Sequence, residues 1–206
     1  MMCVDKVPFE TETIVRKVEK GCTMIRKAHI KDVQEIKKLI DPYGRSGDML
    51  PVSLSEIFDK LRSFFVYENE GKKIVGTAAL HVTWGNMSSD PGFNRSRDKN
   101  GENLIENNNH EININGGIAE IRSLCVNENF RGKGIGGELV RACLEDSRPL
   151  GVTRVFVLTY IPDFFEKMGF SHVDKGTLPH KVWSHCLKCV HFPNCDEVAM
   201  DIWSEL

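Results

Sequence analysis

The sequence predicts an α+β domain built on one mixed β-sheet. Three observations predict this class: helical and strand patterns that follow one another in blocks, an apolar strand that leads through a glycine-rich turn into a helix, and a single helical crossover that can pair two strands in parallel. Along the chain, the patterns give the order β-α-α-β-β-β-α-β-α-β-β. The sequence contains no internal repeat.

The composition is typical of one globular domain. The 206 residues are 41% hydrophobic and 27% charged, which is enough for a single well-packed core. The net charge of −2 gives no reason to expect nucleic acid or an anionic membrane as a partner. No apolar run approaches the ~18 residues of a membrane helix, and the charged N-terminus lacks the apolar stretch of a secretory signal. The seven cysteines are an odd number, so we expect free thiols and a cytoplasmic location.

The sequence of residues 1–51 predicts an extension, a strand, a helix and a turn. Residues 1–23 form a polar extension, and the domain covers residues 24–206. A short strand is predicted at 23–28, and apolar periodicity predicts an amphipathic helix at 30–40. The segment 41–51 contains two prolines and two glycines, which predict a turn without regular structure.

A second helix and a β-hairpin follow. Ser53 and Glu56 have the spacing of a capping box, so a helix begins directly after Ser53. Residues 64–67 and 74–84 are predicted strands joined by a turn at Gly71.

A long insertion separates this hairpin from the rest of the domain. Residues 85–117 are rich in Asn, Ser, Asp and Gly and have almost no apolar anchor, which predicts a long loop. The remaining strands and helices are predicted at 119–126, 137–150, 152–160, 162–169, from 170 onward, and at 197–203.

The glycine-rich stretch "NENFRGKGIGG" is a candidate phosphate-binding loop. Gly132, Gly134 and Gly137 match the dinucleotide fingerprint, but in that fold the first glycine follows its strand almost at once. Here five residues separate Val126 from Gly132, and the next strand ends without the acidic residue that would bind a ribose. The nucleoside triphosphate loop requires Gly-Lys-Ser/Thr, whereas Gly137 is followed by Glu138. Neither nucleotide class is therefore expected.

The frame Arg131-x-x-Gly134-x-Gly136 after an apolar strand resembles motif A of the GNAT family of N-acetyltransferases. The resemblance implies the GNAT acyl-CoA N-acyltransferase fold, with a mixed central sheet, helices on both faces, and acetyl-CoA as the cofactor. It also implies that strands 119–126 and 152–159 diverge to admit coenzyme A. The alternative is a glycine-rich helix start without a ligand. The implied cofactor-binding residues are Leu124, Cys125, Val126, Arg131, Gly132, Lys133, Gly134, Ile135, Gly136 and Gly137.

Four longer segments resemble the acetyltransferase-only bacterial N-acetylglutamate synthases. They include "AEIRSLCVNENFRGKGIGGELV", "RVFVLTYIPDFFEKMGF" and "LPHKVWSHCLKCVHFPNCDEVAM". The resemblance implies transfer of acetyl from acetyl-CoA to the α-amine of L-glutamate, the first step of arginine biosynthesis. The amino-acid-kinase domain of longer synthases has no counterpart in this sequence. The alternatives are acetylation of another small amine or a protein N-terminus, and a non-catalytic acyl-CoA-sensing or metal-binding module.

The resemblance implies candidate catalytic residues on two strands. Glu120 matches the glutamate that removes a proton from the acceptor amine, and its alternative role is a salt bridge with Arg122. Thr159 matches a hydroxyl residue near the sulfur, and Tyr160 could substitute for it. Either residue could instead pack at the strand end. Phe165 occupies the position of an acid tyrosine found in many acetyltransferases of this fold, so that acid is missing.

The acceptor is expected to be a small amino acid, whose carboxylates need cations. Arg122 and Lys181 are the candidates, and the loop at Met49 and Leu50 is expected to line the same pocket. The alternative for each basic residue is a solvated surface charge. A homodimer is one assembly that the sequence allows.

The segment 180–197 is rich in cysteine and histidine. Cys186, Cys189 and Cys195 are interleaved with two histidines, a set of soft ligands that could hold a structural zinc ion. The second CxxC pair of the common zinc motifs is missing, and free cysteines or an adventitious disulfide are the alternatives.

Overall fold

The computed structural model describes residues 16–17, 24–83, 117–178 and 194–203. Within these residues, one sheet of eight strands has the spatial order β1-β2-β3-β4-β5-β6-β8-β7. The pair β5–β6 is parallel, and the other recorded pairs are antiparallel. The strands are β1 (Arg16–Lys17), β2 (Met24–Lys27), β3 (Phe64–Glu68), β4 (Ile74–Thr83), β5 (Gly117–Val126), β6 (Val152–Thr159), β7 (Ser171–His172) and β8 (Val198–Trp203).

Helices cover both faces of the sheet, as the sequence predicts. The helices are α1 (Val33–Ser46), α2 (Leu54–Asp59), α3 (Ile135–Ser147) and α4 (Pro162–Glu166). The apolar sides of α1 and α2 pack on the face that carries Phe64 and Val66. The apolar side of α3 packs on the opposite face, against Ala119 and Ile121. Alternation of side chains along the strands supplies these two separate apolar layers.

The predicted turn at 41–51 is wrong in its first half. The helix α1 continues through Pro42 to Ser46 and ends at Gly47, which has a φ of 86°. Proline removes one helical N–H and was expected to stop the helix. Tyr43, one residue later, packs on the same apolar core as the rest of α1, and this tertiary contact outweighs the local cost.

The second helix and the hairpin are confirmed. The Ser53 N–H donates to Oε2 of Glu56 at 2.8 Å, and the Glu56 N–H donates to Oγ of Ser53 at 3.1 Å. This is the reciprocal pair of a capping box, and α2 begins at the next residue. The strands β3 and β4 pair antiparallel, as the hairpin prediction requires. Most of the predicted insertion at 85–117 lies outside the described residues, but Gly117 already belongs to β5.

The strands β5 and β6 separate midway along their length. Within the described residues, their parallel ladder runs from the pair Gly117–Val152 to the pair Glu120–Phe156. Both strands continue beyond that pair, to Val126 and Thr159. The second half of β5 therefore has one edge without a neighbouring β6 ladder, which opens a gap in the sheet.

A β-bulge in β5 lies beside this gap. The pairing with β4 passes from Thr77–Cys125 to Ala79–Arg122, so β5 has one extra residue. Ser123 in the bulge has a φ of 51°, in the left-handed region that non-glycine residues seldom adopt. Bulges bend a strand and redirect its backbone groups, and this one lies where β5 borders the gap.

A buried ion pair joins Arg154 of β6 to Asp201 of β8. Arg154 Nε lies 2.7 Å from Oδ2 of Asp201, and the two side chains are 7% and 5% exposed. Removing the carboxylate by Asp201→Ala would leave the guanidinium buried without its charged partner. We expect the free energy of unfolding in urea to fall by about 3–5 kcal/mol.

The matched control for this prediction is Glu35→Ala, which breaks the exposed pair of Glu35 with Lys38. That change is expected to cost at most about 1 kcal/mol. Equal losses in the two variants would contradict the role given to burial.

Candidate active site

A cleft of about 750 Å³ occupies the gap between β5 and β6. Its walls come from the loop between α1 and α2, the second half of β5, the glycine-rich loop before α3, and the end of β6 with the start of α4. The cleft therefore lies where the strand ladder stops, and the residues predicted from the β5 and β6 patterns meet there.

The glycine-rich loop forms one end of the cleft. Gly132 and Gly134 have φ values of 74° and 81°, and nothing lies within 4 Å of the place that a Cβ would take at either residue. Gly134 is the N-cap of α3, so the free amide groups of the first helical turn face the space above the loop. Such a helix start attracts anions. The loop can accept a phosphate group close to its backbone.

Tyr43 and Arg131 connect α1 to this loop. Nη2 of Arg131 donates a hydrogen bond to the Tyr43 hydroxyl, and that hydroxyl donates to the carbonyl oxygen of Val126 at 3.3 Å. The Arg131 guanidinium also lies 5.5 Å from the centre of the Tyr43 ring. These contacts place a positive charge beside the glycine-rich loop.

Glu120 and Arg122 lie on one face of β5, as their spacing predicts. Nε of Arg122 is 3.6 Å from Oε1 of Glu120, and their side chains are 14% and 13% exposed. Burial raises the pKa of Glu120 above its usual value; Arg122 opposes this shift, Glu197 adds to it, and Lys60 opposes it. The salt bridge between Glu120 and Arg122 is thus present, and the largely buried carboxyl of Glu120 also lines the cleft.

The end of β6 supplies two hydroxyl groups. Oγ1 of Thr159 accepts a hydrogen bond from the Ile161 N–H at 3.0 Å, and the residue is 6% exposed. Because a hydroxyl has one hydrogen of its own, Thr159 keeps a donor while it accepts this bond. Tyr160 is 39% exposed, and burial of its hydroxyl together with a hydrogen bond to Asp196 raises its pKa. Both residues line the cleft.

Most of the other candidate residues described by the structure also reach the cleft. Leu50 lines it from the α1–α2 loop. The side chain of Cys125 instead packs in the core beneath α1, where burial raises the pKa of its thiol to about 12. Nζ of Lys133 lies 4.8 Å from the centre of the Phe130 ring. Further cleft residues from the predicted set are Leu124, Val126, Ile135, Gly136 and Gly137.

The cysteine-rich segment is only partly described. Lys181, Cys186 and Cys189 lie outside the described residues, so their roles stay predictions. Cys195 is described, and its thiol donates to Oε2 of Glu197 at 3.6 Å. Within the described ranges, no group of three His, Cys, Asp or Glu side chains could hold a metal ion. The zinc site therefore also stays a prediction.

Sequence reasoning missed several residues of the cleft. Tyr43 was assigned to a turn, and Glu197 to the start of a strand. The apolar pattern of β5 does not predict the bulge at Ser123. The missed residues that line the cleft include Tyr43, Asp48, Ser123, Phe164 and Glu197.

Sequence comparison assigns the chain to a family. Residues 30–170 match the model of the acetyltransferase (GNAT) family. The chain is 32% identical over 178 residues to an uncharacterized N-acetyltransferase of Chlorobaculum tepidum, covering 86% of this chain and 94% of the relative. It is 31% identical over 153 residues to an amino-acid acetyltransferase of Mycobacterium tuberculosis, covering 73% and 70%. The protein belongs to the GNAT family and is an N-acetyltransferase.

Solved structures confirm the predicted fold. The N-acetylglutamate synthase of Neisseria gonorrhoeae, in complex with coenzyme A and N-acetyl-glutamate, superposes with a TM-score of 0.69 at 19% identity. The match covers 92% of this chain and 37% of that one, so this chain spans just over a third of its length. A Mycobacterium tuberculosis protein in complex with CoA gives a TM-score of 0.63 at 24% identity, covering 88% and 99%. Among the described residues, no helix is both long and apolar enough to cross a membrane.

Proposed function

We propose that this protein transfers the acetyl group of acetyl-CoA to the α-amine of L-glutamate. The observation that carries the proposal is the position of Glu120, a largely buried carboxyl on the cleft wall beside Arg122. The names of the amino-acid acetyltransferase relative and of the gonococcal synthase support an amino-acid acceptor. In a cell, this reaction would begin arginine biosynthesis in the cytoplasm.

Acetyl-CoA fits the cleft through its two polar parts. The pyrophosphate would accept hydrogen bonds from the amides that open α3, where Gly132 and Gly134 leave room for close approach. Arg131 lies on the same loop and adds a positive charge. The pantetheine arm would run beside the second half of β5 and pair with backbone groups of Leu124, Cys125 and Val126, because β6 has diverged from that edge.

The amino-acid acceptor would lie at the other end of the cleft. The guanidinium group of Arg122 lines the cleft there and could bind one carboxylate of glutamate. Leu50 borders the same space from the α1–α2 loop. Lys181 is proposed as a further carboxylate ligand on the basis of the family resemblance alone.

The reaction is a direct transfer within a ternary complex. The acceptor ammonium first loses a proton to the Glu120 carboxylate. The amine nitrogen then attacks the thioester carbon, and a backbone N–H of β5 stabilises the oxyanion. Attack forms the C–N bond, and the tetrahedral intermediate then collapses with re-formation of the C=O bond and cleavage of the C–S bond. The attacking nitrogen loses its second proton, which the departing thiolate takes up. Because an ordinary thiol has a pKa near ~8.5, the thiolate leaves with only modest help from an acid, and Thr159 or Tyr160 could donate a hydrogen bond to it.

An acceptor screen tests this proposal. The purified protein is supplied with acetyl-CoA and each of the common amino acids in turn, and release of free thiol is followed over time. We expect L-glutamate to be among the acceptors with the highest kcat/KM, with glutamine as the nearest competitor. A strong preference for an unrelated amine or for a peptide N-terminus would contradict the assigned acceptor. Absence of turnover with every amine would favour an acyl-CoA-sensing role.

A further inference from the structure

The cleft contains a second carboxyl group, that of Glu197, which has no role in the proposed mechanism. Glu197 precedes β8, lines the cleft and is half-buried. Its partner Cys195, whose thiol donates to the Glu197 carboxylate, lines the cleft as well. Glu197 also interacts electrostatically with Glu120 and Arg122, the residues at the acceptor end of the cleft.

The strand register places Ala199 on the same face of the sheet as Glu120, and Glu197 lies two residues before Ala199. Glu120 pairs with Phe156 on β6, and Leu158, two residues further on, pairs with Ala199 on β8. Residues that pair across a ladder share a face, and so do residues two apart on a strand. Glu197 lies just before β8, two residues from Ala199, and it lines the same cleft as Glu120.

The charges around the two carboxylates form one electrostatic group. The positive charge of Arg122 attracts the carboxylates of both Glu120 and Glu197. Lys60, after α2, also faces Glu120. The groups that face Glu197 from the loops next to it are Lys175, Cys195 and Asp196. On the adjoining strand β4, His81 is the residue paired with Glu120.

We propose that Glu197 binds the acceptor's ammonium group together with Glu120, so that the ammonium lies between two carboxylates before its proton is removed. This inference rests on the proposed amine acetylation. An ammonium has three N–H donors, and one carboxylate that is also paired with Arg122 would satisfy them only in part. Glu197 supplies the second acceptor, while Glu120 alone takes the proton. Its effect is therefore on acceptor binding more than on the chemical step.

The variant Glu197→Gln tests this role, because it removes the charge and keeps the size and an oxygen that can accept the Cys195 thiol. We expect the KM of the amine acceptor to rise about tenfold or more, the usual effect of losing a charge-assisted hydrogen bond. The value of kcat and the KM of acetyl-CoA should each change by less than about threefold, since neither depends on the ammonium contact. The control Glu35→Gln removes an exposed charge on α1 and should change none of these constants.

A second measurement separates ammonium binding from a structural role. The N-acetylated product has no ammonium, so its inhibition constant against the acceptor should be the same for the parent and for Glu197→Gln. Equal increases in the acceptor KM and in the product inhibition constant would overturn the inference, and so would an unchanged acceptor KM. If Glu197→Gln does not fold, Glu197→Asp keeps the charge on a shorter side chain and should give a smaller rise in KM with the same unchanged product inhibition.

These measurements use whichever amine the parent protein acetylates. Failure of glutamate in the acceptor screen would refute the proposed acceptor and leave the Glu197 test intact. An unchanged KM in Glu197→Gln would refute this inference and leave the proposed acceptor intact.

Discussion

Replacing Glu120 by Gln is expected to lower kcat by about 10²- to 10⁴-fold, the range that a general base contributes. The amide has the same shape as the carboxyl but cannot accept the proton of the acceptor amine. Because burial raises the pKa of Glu120, the parent should lose activity on acidification at a pH above ~4.3, the ordinary pKa of glutamate. This acidic limb should be missing from the residual activity of the variant. Steady-state rates measured from about pH 4 to about pH 9 give both quantities, because this range begins below the ordinary pKa of glutamate.

The control for this experiment is Glu35→Gln, which makes the same chemical change on the exposed side of α1. Its rates and pH profile should equal those of the parent. An unchanged kcat in Glu120→Gln would sink the mechanism and leave Glu120 as the salt-bridge partner of Arg122 only.

Replacing Gly134 by Val is expected to raise the KM of acetyl-CoA by about 10- to 100-fold, corresponding to about 1–3 kcal/mol of backbone strain. Gly134 has a φ of 81°, which is strongly unfavourable for a β-branched residue. The free loop can relieve the strain by moving, whereas binding of the pyrophosphate would force it back. The cost therefore appears in acetyl-CoA binding, which initial rates at saturating acceptor measure.

Gly71→Val is the matched control, because Gly71 lies in the exposed hairpin turn with ordinary φ and one neighbouring atom at 3.4 Å. It should leave the KM of acetyl-CoA unchanged. A Gly134→Val variant with the parent's KM would show that the loop does not hold the coenzyme.

The fold could be predicted from the sequence because its elements have strong local signals. The capping box at Ser53 and the short turn that joins β3 to β4 are decided by contacts within a few residues of one another. The glycine-rich loop is equally local, since Gly132 and Gly134 have backbone angles that favour glycine. The end of α1 was missed for the opposite reason, as its continuation past Pro42 depends on packing of Tyr43 against distant residues.

The relative positions of two site residues could be derived from the sequence pattern only where both lie on one element, and the family resemblance supplied the candidates on other elements. Glu120 and Arg122 are two residues apart on β5, so their shared face follows from alternation. Glu197 is 77 positions after Glu120 in the chain. It reaches the cleft because β8, which begins at the next residue, pairs with β6. Register between distant strands and the bulge at Ser123 are properties of tertiary structure, and a single sequence does not display them.

The most direct test of the central claim is transfer of an isotopically labelled acetyl group. The protein is incubated with acetyl-labelled acetyl-CoA and L-glutamate, and the products are identified by mass spectrometry beside the free thiol released. We expect labelled N-acetylglutamate in an amount equal to the thiol, with almost none from Glu120→Gln. Thiol release without labelled N-acetylglutamate, or equal product from Glu120→Gln, would contradict it.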